Sequence, residues 1–466
     1  MAREADLLVI GAGPGGYPAA IRAAQLGRHV TLVERDRLGG ECLNYGCIPS
    51  KALIRAGNLV HTLGRAKEWG VDVSGVSVDF RRLQAWKQGV VDRLNQGVAK
   101  LCAGNGVTVV YGSARFTGPG AVEVRAVPGV YQMPFKQAII ATGGRPTDLP
   151  AFRFDGTRIL STKEVLELPA APKHLLVIGG GASGLELATF YAKVGSTVTV
   201  VEILDQILPG TDPEVVRIVA RNLRALGVQV HTESQAKDWS EADGRVVVNL
   251  ETPAGSDRID ADAILVAVGR RPNTDGLQPE NVGVNLDPKG HVLVDRQMRT
   301  SNRDIFAVGD VVGPPYLAHK ATKEGLVSAE AACGRPAAAD YRAMPAAIFT
   351  DPEIATVGMT ESEAVERGHP PIVGRVPFAA IGRALTTGES DGFVKLVGDR
   401  TSRLLLGAQI VGPDASDLIS ELALAIEMGA TVEDIALTVH PHPTLSEGIM
   451  ESAEAALGQA IHILNR

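Results

Sequence analysis

The sequence predicts an α/β chain with two nucleotide-binding units on parallel sheets, the second inserted in the first, and a further α+β domain at the C-terminal end. Three observations carry this. A strand leads through a Gly-rich turn into a helix at two places. In both, the next strand ends in a glutamate at the same distance. At 466 residues the chain is also too long for a single core.

In chain order, Leu7-Leu8-Val9-Ile10 reads as a buried strand running into Gly11-Ala12-Gly13-Pro14-Gly15-Gly16, and Val30-Thr31-Leu32-Val33 follows and ends at Glu34. Leu175-Leu176-Val177-Ile178 runs likewise into Gly179-Gly180-Gly181-Ala182-Ser183-Gly184, and Val198-Thr199-Val200-Val201 ends at Glu202. Gly11 to Glu34 and Gly179 to Glu202 both span 23 residues. A lone G-x-G-x-x-G is weak evidence, because Gly-rich turns are common. Two copies in strand–turn–helix context, each with a matched acid, describe Rossmann-like dinucleotide units. The glycines allow a tight turn and close approach of a pyrophosphate. The helix N-terminus offers it amide donors, and the glutamate accepts from the ribose hydroxyls. Ile203 and Leu204 follow Glu202 with no arginine to meet a 2′-phosphate, so the second unit favours NAD over NADP.

Two later segments echo each other. Ala138-Ile139-Ile140-Ala141-Thr142-Gly143-Gly144-Arg145-Pro146 resembles Ala263-Ile264-Leu265-Val266-Ala267-Val268-Gly269-Arg270-Arg271-Pro272, and each reads as a buried strand ending in Gly and Pro. Ile305-Phe306-Ala307-Val308-Gly309-Asp310 is a further strand ending in an acid. The expected division is 1–146, an inserted 147–272, a return to the first domain over 273–340, and a separate 341–466. The last part holds a strand at Phe393-Val394-Lys395-Leu396-Val397 and a helix from Asp417 to Met428, where apolar residues recur at helical spacing.

Composition excludes several classes. A formal charge of -7, with no basic run interleaved with aromatics, argues against nucleic acid. No apolar stretch reaches membrane-spanning length. The opening Met1-Ala2-Arg3-Glu4-Ala5-Asp6 is short and acidic and the first strand follows at once, so no signal or transit peptide is expected and the chain reads as cytoplasmic. Four cysteines make no disulfide framework. His440 and His442 lack the further ligands a metal site needs, and no metal is expected.

Cys42 and Cys47 are the informative pair. In a reducing compartment two close thiols are more often catalytic than structural, and such a pair can hold two electrons by opening and closing a disulfide. A regular helix sets positions five apart off by roughly 7.5 Å of rise and 140° of rotation. A disulfide needs Cα atoms within about 7 Å. Gly46 and Pro49 are the residues expected to break the helix here. Cys102 and Cys333 sit in no motif and read as structural.

With both fingerprints, the thiol pair and Gly309-Asp310 in view, the whole chain resembles the pyridine nucleotide–disulfide oxidoreductase family, and within it the dihydrolipoamide dehydrogenase branch. Cys42-Leu43-Asn44-Tyr45-Gly46-Cys47-Ile48-Pro49-Ser50-Lys51 is close to the family's disulfide motif. Leu317-Ala318-His319-Lys320-Ala321 and His440-Pro441-His442-Pro443-Thr444-Leu445-Ser446-Glu447 match that branch. Tyr45 stands where a small aliphatic is usual, Glu41 where Thr is common, Pro441 where Ala is common, and Ala114 where a second Gly often meets the adenine end of FAD.

The resemblance implies an FAD-binding first domain, an NAD-binding insert and a C-terminal dimerisation domain. Gly11, Gly13, Gly16, Glu34, Gly40, Ala114, Thr142 and Gly143 would line the FAD site. Asp310 and the Ala318 backbone would meet its ribityl and flavin parts, and Lys51 would lie near the flavin, paired with Glu186. Gly179, Gly181, Gly184, Glu202 and Gly269 would hold NAD. Cys42 would exchange with substrate and Cys47 would face the flavin. His442 would take the substrate's proton, with Glu447 holding the imidazole. Thr444-x-x-Glu447 also reads as a capping box, a structural role for the same acid. The implied activity is oxidation of protein-bound dihydrolipoamide with NAD+, by a homodimer that docks on a lipoyl domain and the acyltransferase core of a 2-oxoacid dehydrogenase complex, or serves glycine cleavage. Its base and its thiols lie some 400 residues apart in different domains, which suits a two-fold dimer.

Alternatives are a sister reductase and a non-catalytic nucleotide-binding scaffold. Ala460-Ile461-His462-Ile463-Leu464-Asn465-Arg466 holds no cysteine pair of the mercuric reductase kind. Glu202 and the missing arginines disfavour a glutathione-type enzyme. The retained thiols and His442 disfavour a transhydrogenase and a scaffold.

Overall fold

The computed structural model describes residues 4–126 and 129–465. Met1-Ala2-Arg3, part of the segment expected to hold no targeting peptide, lie outside them. The chain divides into two compact units, Met1–Ala171 with Leu265–Asp340, and Pro172–Ile264 with Tyr341–Arg466.

The first unit is built on a parallel sheet. Strand Ala5–Ile10 lies between Val30–Glu34 and Val130–Ile140. Thr108–Gly118 pairs outside Val30–Glu34, and Ile305–Ala307 outside Val130–Ile140. In register, Ile10 stands opposite Val33 and Ile140, and Ile140 opposite Ala307. The carboxyl ends of four strands are therefore level, and the segments that leave them are Gly11–Gly16, Glu34, Thr142–Gly143 and Gly309–Asp310. Ligands of parallel sheets bind at that edge.

The sheet's strands are apolar on both faces, as a covered parallel sheet requires. Leu7, Val9, Ile139 and Phe306 pack against Ala19, Ala20 and Ala23 of helix Gly16–Gln25 and Ala329 and Ala331 of helix Ala318–Ala332. Leu8, Ile10, Ala138 and Ile140 pack against Phe116, Val122, Val124 and Phe135 of an antiparallel meander that includes Ala121–Ala126. The echoing segments meet. Gly144–Pro146 pairs antiparallel with Arg270–Pro272, Arg271 opposite Arg145.

In the second unit, strands His174–Ile178, Thr197–Val201 and Gln229–His231 run parallel. Helix Ala182–Lys193 follows the second Gly-rich turn. Its C-terminal part is a five-stranded antiparallel sheet in the order Ala346–Ile348, Glu353–Gly358, Leu405–Gly412, Phe393–Asp399, Pro371–Pro377. Helix Ala415–Met428 packs on its middle strands and helix Glu447–Ala456 on the Phe393–Asp399 and Pro371–Pro377 edge. No helix of the described residues is long and apolar enough to cross a membrane.

Candidate active site

Cys42 and Cys47 are joined as a disulfide with Cα atoms 4.7 Å apart. The chain achieves this with two helices rather than one, Gly40–Tyr45 and Cys47–Arg65. The break falls at Gly46 alone. Pro49, expected to share in it, sits in the first turn of the second helix, where no N–H is needed. The cysteines are thus placed unequally. Cys42 is the third residue of a six-residue helix, whereas Cys47 opens a helix of 19 residues, whose N-terminal amides favour a thiolate.

The short helix is seated on the first Gly-rich loop. Gly39 donates its N–H to the Ala12 carbonyl at 2.8 Å. Gly40 has φ +60°, and a Cβ there would stand 2.6 Å from the Gly13 Cα, so a side chain at position 40 would push the redox helix off the loop. Asn44 ties the helix down by donating to the carbonyls of Leu38 and Gly40, both at 2.9 Å. Lys51 lies one turn beyond Cys47 on the same helix. The ring of Tyr45 carries the Lys163 ammonium 4.1 Å from its centroid. Burial and a hydrogen bond to Asp36 push its phenol up to about 12.

The two dinucleotide turns are built alike. In the first, Glu34 accepts from the Ala12 amide at 2.7 Å and the Asp36 amide at 2.8 Å. In the second, Glu202 accepts from the Gly180 amide at 2.7 Å and the Leu204 amide at 2.9 Å. Burial raises the Glu34 carboxyl, with the two amides acting against it. A Cβ on Gly16 would fall 1.8 Å from the Gly11 carbonyl oxygen, and one on Gly184 would fall 2.2 Å from that of Gly179. A Cβ on Gly13 or Gly181 meets no comparable obstacle, which leaves room for a phosphate against the backbone. Gly181 immediately precedes helix Ala182–Lys193. Thr142 Oγ1, buried beside Gly143, has no hydrogen-bond partner among the described residues. An orphaned hydroxyl at the carboxyl edge of the sheet, next to an open Gly-rich cradle, fits a polar cofactor there. Ala114 lies on the outer strand opposite Val124, and Gly269 has φ +129° with its carbonyl accepting from the Thr147 amide.

Asp310 belongs to a cluster that sequence reasoning missed. Arg270 donates Nη1 and Nη2 to the two carboxylate oxygens of Glu41 at 2.8 and 2.6 Å, and Nε to Asp310 at 3.1 Å. Burial pushes the Asp310 carboxyl up, against the pull of Arg270. The neighbouring Gly309 amide donates to Glu324 at 2.8 Å, and Glu324 pairs with Lys320 at 2.9 Å, both buried. That pair had a signal in sequence, because Lys320 and Glu324 are four apart on helix Ala318–Ala332. Ala318 opens the helix, where the first amides have no intrahelical partner. The Glu41–Arg270 pair spans 229 residues and had no local signal.

In the second unit, His442 Nδ1 lies 2.8 Å from Glu447 Oε1, and the imidazole is 77% exposed. Glu447 Oε2 accepts from the Thr444 amide at 2.8 Å. The acid therefore fills both roles offered for it, orienting the histidine and satisfying a backbone donor. It does so without a full capping box. The helix begins at Glu447 with Ser446 as its cap, and the Thr444 hydroxyl goes to the Pro441 carbonyl instead. Burial acts to raise the Glu447 carboxyl, but the Thr444 amide and the imidazole outweigh it and hold it below the ordinary value. His440, by contrast, is walled in at 4% side-chain exposure, bonded to Glu421 at 3.0 Å and to the Thr438 carbonyl at 2.8 Å. Glu186 is buried on helix Ala182–Lys193 and accepts from the Phe349 amide at 2.9 Å. It and Lys51 belong to different units.

Comparison with known proteins agrees with this layout. Residues 5–325 match the family model "Pyridine nucleotide-disulphide oxidoreductase", and 344–453 match that family's dimerisation domain. The chain is 53% identical to a dihydrolipoyl dehydrogenase of Haloferax volcanii, covering 100% of this chain and 99% of the relative. It is 50% identical to one of Geobacillus stearothermophilus, with 99% and 98% covered. Among solved structures it resembles LpdA from Mycobacterium tuberculosis with a TM-score of 0.90 at 30% identity, over 96% of this chain and 99% of that one. The HOCl-induced flavoprotein disulfide reductase RclA from Escherichia coli gives 0.86 at 27%, over 96% and 99%. The chain therefore belongs to the pyridine nucleotide-disulphide oxidoreductase family, as an FAD- and NAD-dependent oxidoreductase with a redox-active disulfide and a dimerisation domain.

Proposed function

We propose that this enzyme oxidises the dihydrolipoyl group of a lipoyl domain to the cyclic disulfide and reduces NAD+, as a cytoplasmic homodimer serving a 2-oxoacid dehydrogenase complex or glycine cleavage. The observation that carries the reading is the Cys42–Cys47 disulfide seated on the dinucleotide loop with Cys47 at a helix N-terminus.

The chain's own residues account for thiol exchange. His442, its Nδ1 held by Glu447, takes a proton from one substrate thiol through Nε2. The resulting thiolate attacks Cys42 Sγ. The Cys42–Cys47 bond breaks, and Cys47 leaves as a thiolate stabilised by its helix. The second substrate sulfur then attacks the first, forming the substrate disulfide and expelling Cys42, which takes up the second proton. Two electrons have moved from two substrate sulfurs to the cysteine pair. FAD, when bound by Gly11, Gly13, Gly16, Glu34, Thr142 and Asp310, supplies the two-electron step between Cys47 and NAD. Gly179, Gly181, Gly184 and Glu202 bind the NAD.

We take 1–146 with 273–340 as the flavin domain, 147–272 as the nicotinamide domain and 341–466 as the dimer-forming domain. Leu437 and Val439, 80% and 91% exposed, directly precede His440-Pro441-His442. The apolar surface that a second copy would cover therefore runs up to the base, and His442 serves the partner's disulfide.

The test is turnover with dihydrolipoamide and NAD+ against turnover with glutathione disulfide and NADPH. The first pair is expected to react and the second to stay at background. The reverse would replace this reading with that of a glutathione-type reductase.

A further inference from the structure

We propose that Glu41 is a positioning and tuning residue for the disulfide: through Arg270 it ties the first turn of the Cys42 helix to Asp310, and its charge holds the thiol pair toward the oxidised form. The inference rests on the proposed function only in taking Cys42 and Cys47 as the working pair.

The geometry is specific. Arg270 presents its full fork to Glu41, two parallel N–H···O bonds at 2.8 and 2.6 Å, and its remaining Nε to Asp310. Bidentate pairing of this kind fixes orientation as well as distance. Three chain segments far apart in sequence meet on one guanidinium: the start of helix Gly40–Tyr45, strand Arg270–Pro272 and the turn Gly309–Val312. Each is anchored elsewhere. The helix rests on the Gly13 backbone, strand Arg270–Pro272 pairs with Gly144–Pro146, and Gly309 is held by the Glu324–Lys320 pair. The side chains of Glu41, Arg270 and Asp310 are between 22% and 30% exposed, so the charges are poorly screened.

The charge balance gives the function. Two carboxylates share one guanidinium, and Lys320, the other cation acting on Asp310, is already paired with Glu324. Glu41 precedes Cys42 in the chain, and the Cys42 Cα is 4.7 Å from that of Cys47. Reduction by a dithiol breaks the Cys42–Cys47 bond, adds two electrons and leaves one thiolate, so it adds a negative charge to a pair whose first cysteine adjoins Glu41 in the chain. Glu41 therefore opposes reduction and Arg270 favours it. A pair held toward the disulfide is, once reduced, a stronger donor of its two electrons to the nicotinamide.

The test is the midpoint of the Cys42–Cys47 pair in holoenzyme equilibrated with dithiothreitol buffers and read by thiol alkylation and mass spectrometry. This readout needs neither lipoamide nor turnover, so its failure is distinct from failure of the substrate assignment. Glu41→Gln is expected to shift the dithiol/disulfide equilibrium about tenfold toward the dithiol, about 30 mV upward for a two-electron couple. Arg270→Gln is expected to shift it the other way. Arg270→Lys, which keeps the charge and loses the fork, is expected to retain the midpoint but slow reduction of the flavin. Shifts of the same sign for Glu41→Gln and Arg270→Gln, or no shift in either, would overturn the proposal and leave the cluster a purely structural brace.

Discussion

At the scale of single residues, the carboxylate of Glu447 does two jobs at once, and the two can be separated by pH. Its oxygens hold the His442 imidazole and the Thr444 amide, and these bonds depress its pKa below the ordinary 4.5. A depressed folded pKa contributes stability that is complete above about 4.5 and is lost as pH falls through the lowered value. Glu447→Gln is therefore expected to melt below wild type at neutral pH, with the gap closing as pH falls below the ordinary carboxylate value of 4.5. Its turnover should fall roughly 10- to 100-fold, since the neutral amide neither orients nor stabilises an imidazolium. Thermal melts across pH and kcat at neutral pH check both. A gap independent of pH would assign Glu447 a packing role only. Part of this was legible in the sequence: Cys42 and Cys47, and Glu34 and Glu202, stand in short motifs whose spacing singles them out, whereas the roles of His442 and Glu447 came from the resemblance to the family, spacing alone offering Glu447 as a cap. Arg270 was not, because its partners at 41 and 310 come to it only when three segments fold together.

Among the elements, the Gly-rich turns set how closely each helix may approach its strand. The same rule appears twice, and the second copy can be broken on its own. A Cβ at Gly184 would stand 2.2 Å from the carbonyl oxygen of Gly179 in the same turn and 3.2 Å from the Val177 side chain of the strand before it. Gly184→Ala is expected to raise the KM for NAD+ well above wild type at a local cost of about 1–3 kcal/mol, while the purified protein keeps its flavin absorbance. Steady-state kinetics and the visible spectrum decide this, and an unchanged KM would remove the turn from the NAD site. Strands and helices next to the fingerprints were readable because turn, apolar run and acid recur in a fixed order. Two features were not. The break between the cysteines falls at Gly46 without help from Pro49, since a proline in a helix's first turn costs nothing. The antiparallel pairing of Gly144–Pro146 with Arg270–Pro272 could be seen as an echo but not as a contact, because strand pairing is decided by topology.

For the whole molecule, the insertion of one nucleotide unit in another was visible as a repeat. The grouping of Pro172–Ile264 with Tyr341–Arg466 in one compact unit had no counterpart in the sequence reading, which used local pattern only. Cys42, Cys47 and the first Gly-rich turn lie in the first unit, and the second Gly-rich turn and His442–Glu447 lie in the second. The central claim is that electrons from a dithiol enter at Cys42 and leave as NADH. The most direct measurement is anaerobic titration with dihydrolipoamide followed by one equivalent of NAD+, on wild type and Cys42→Ser. Wild type is expected to take up two electrons, show the long-wavelength band of a thiolate beside oxidised flavin, and release them as NADH. Cys42→Ser is expected to form no NADH from dihydrolipoamide while its flavin still accepts hydride from NADH. Full NADH production by Cys42→Ser would contradict the account.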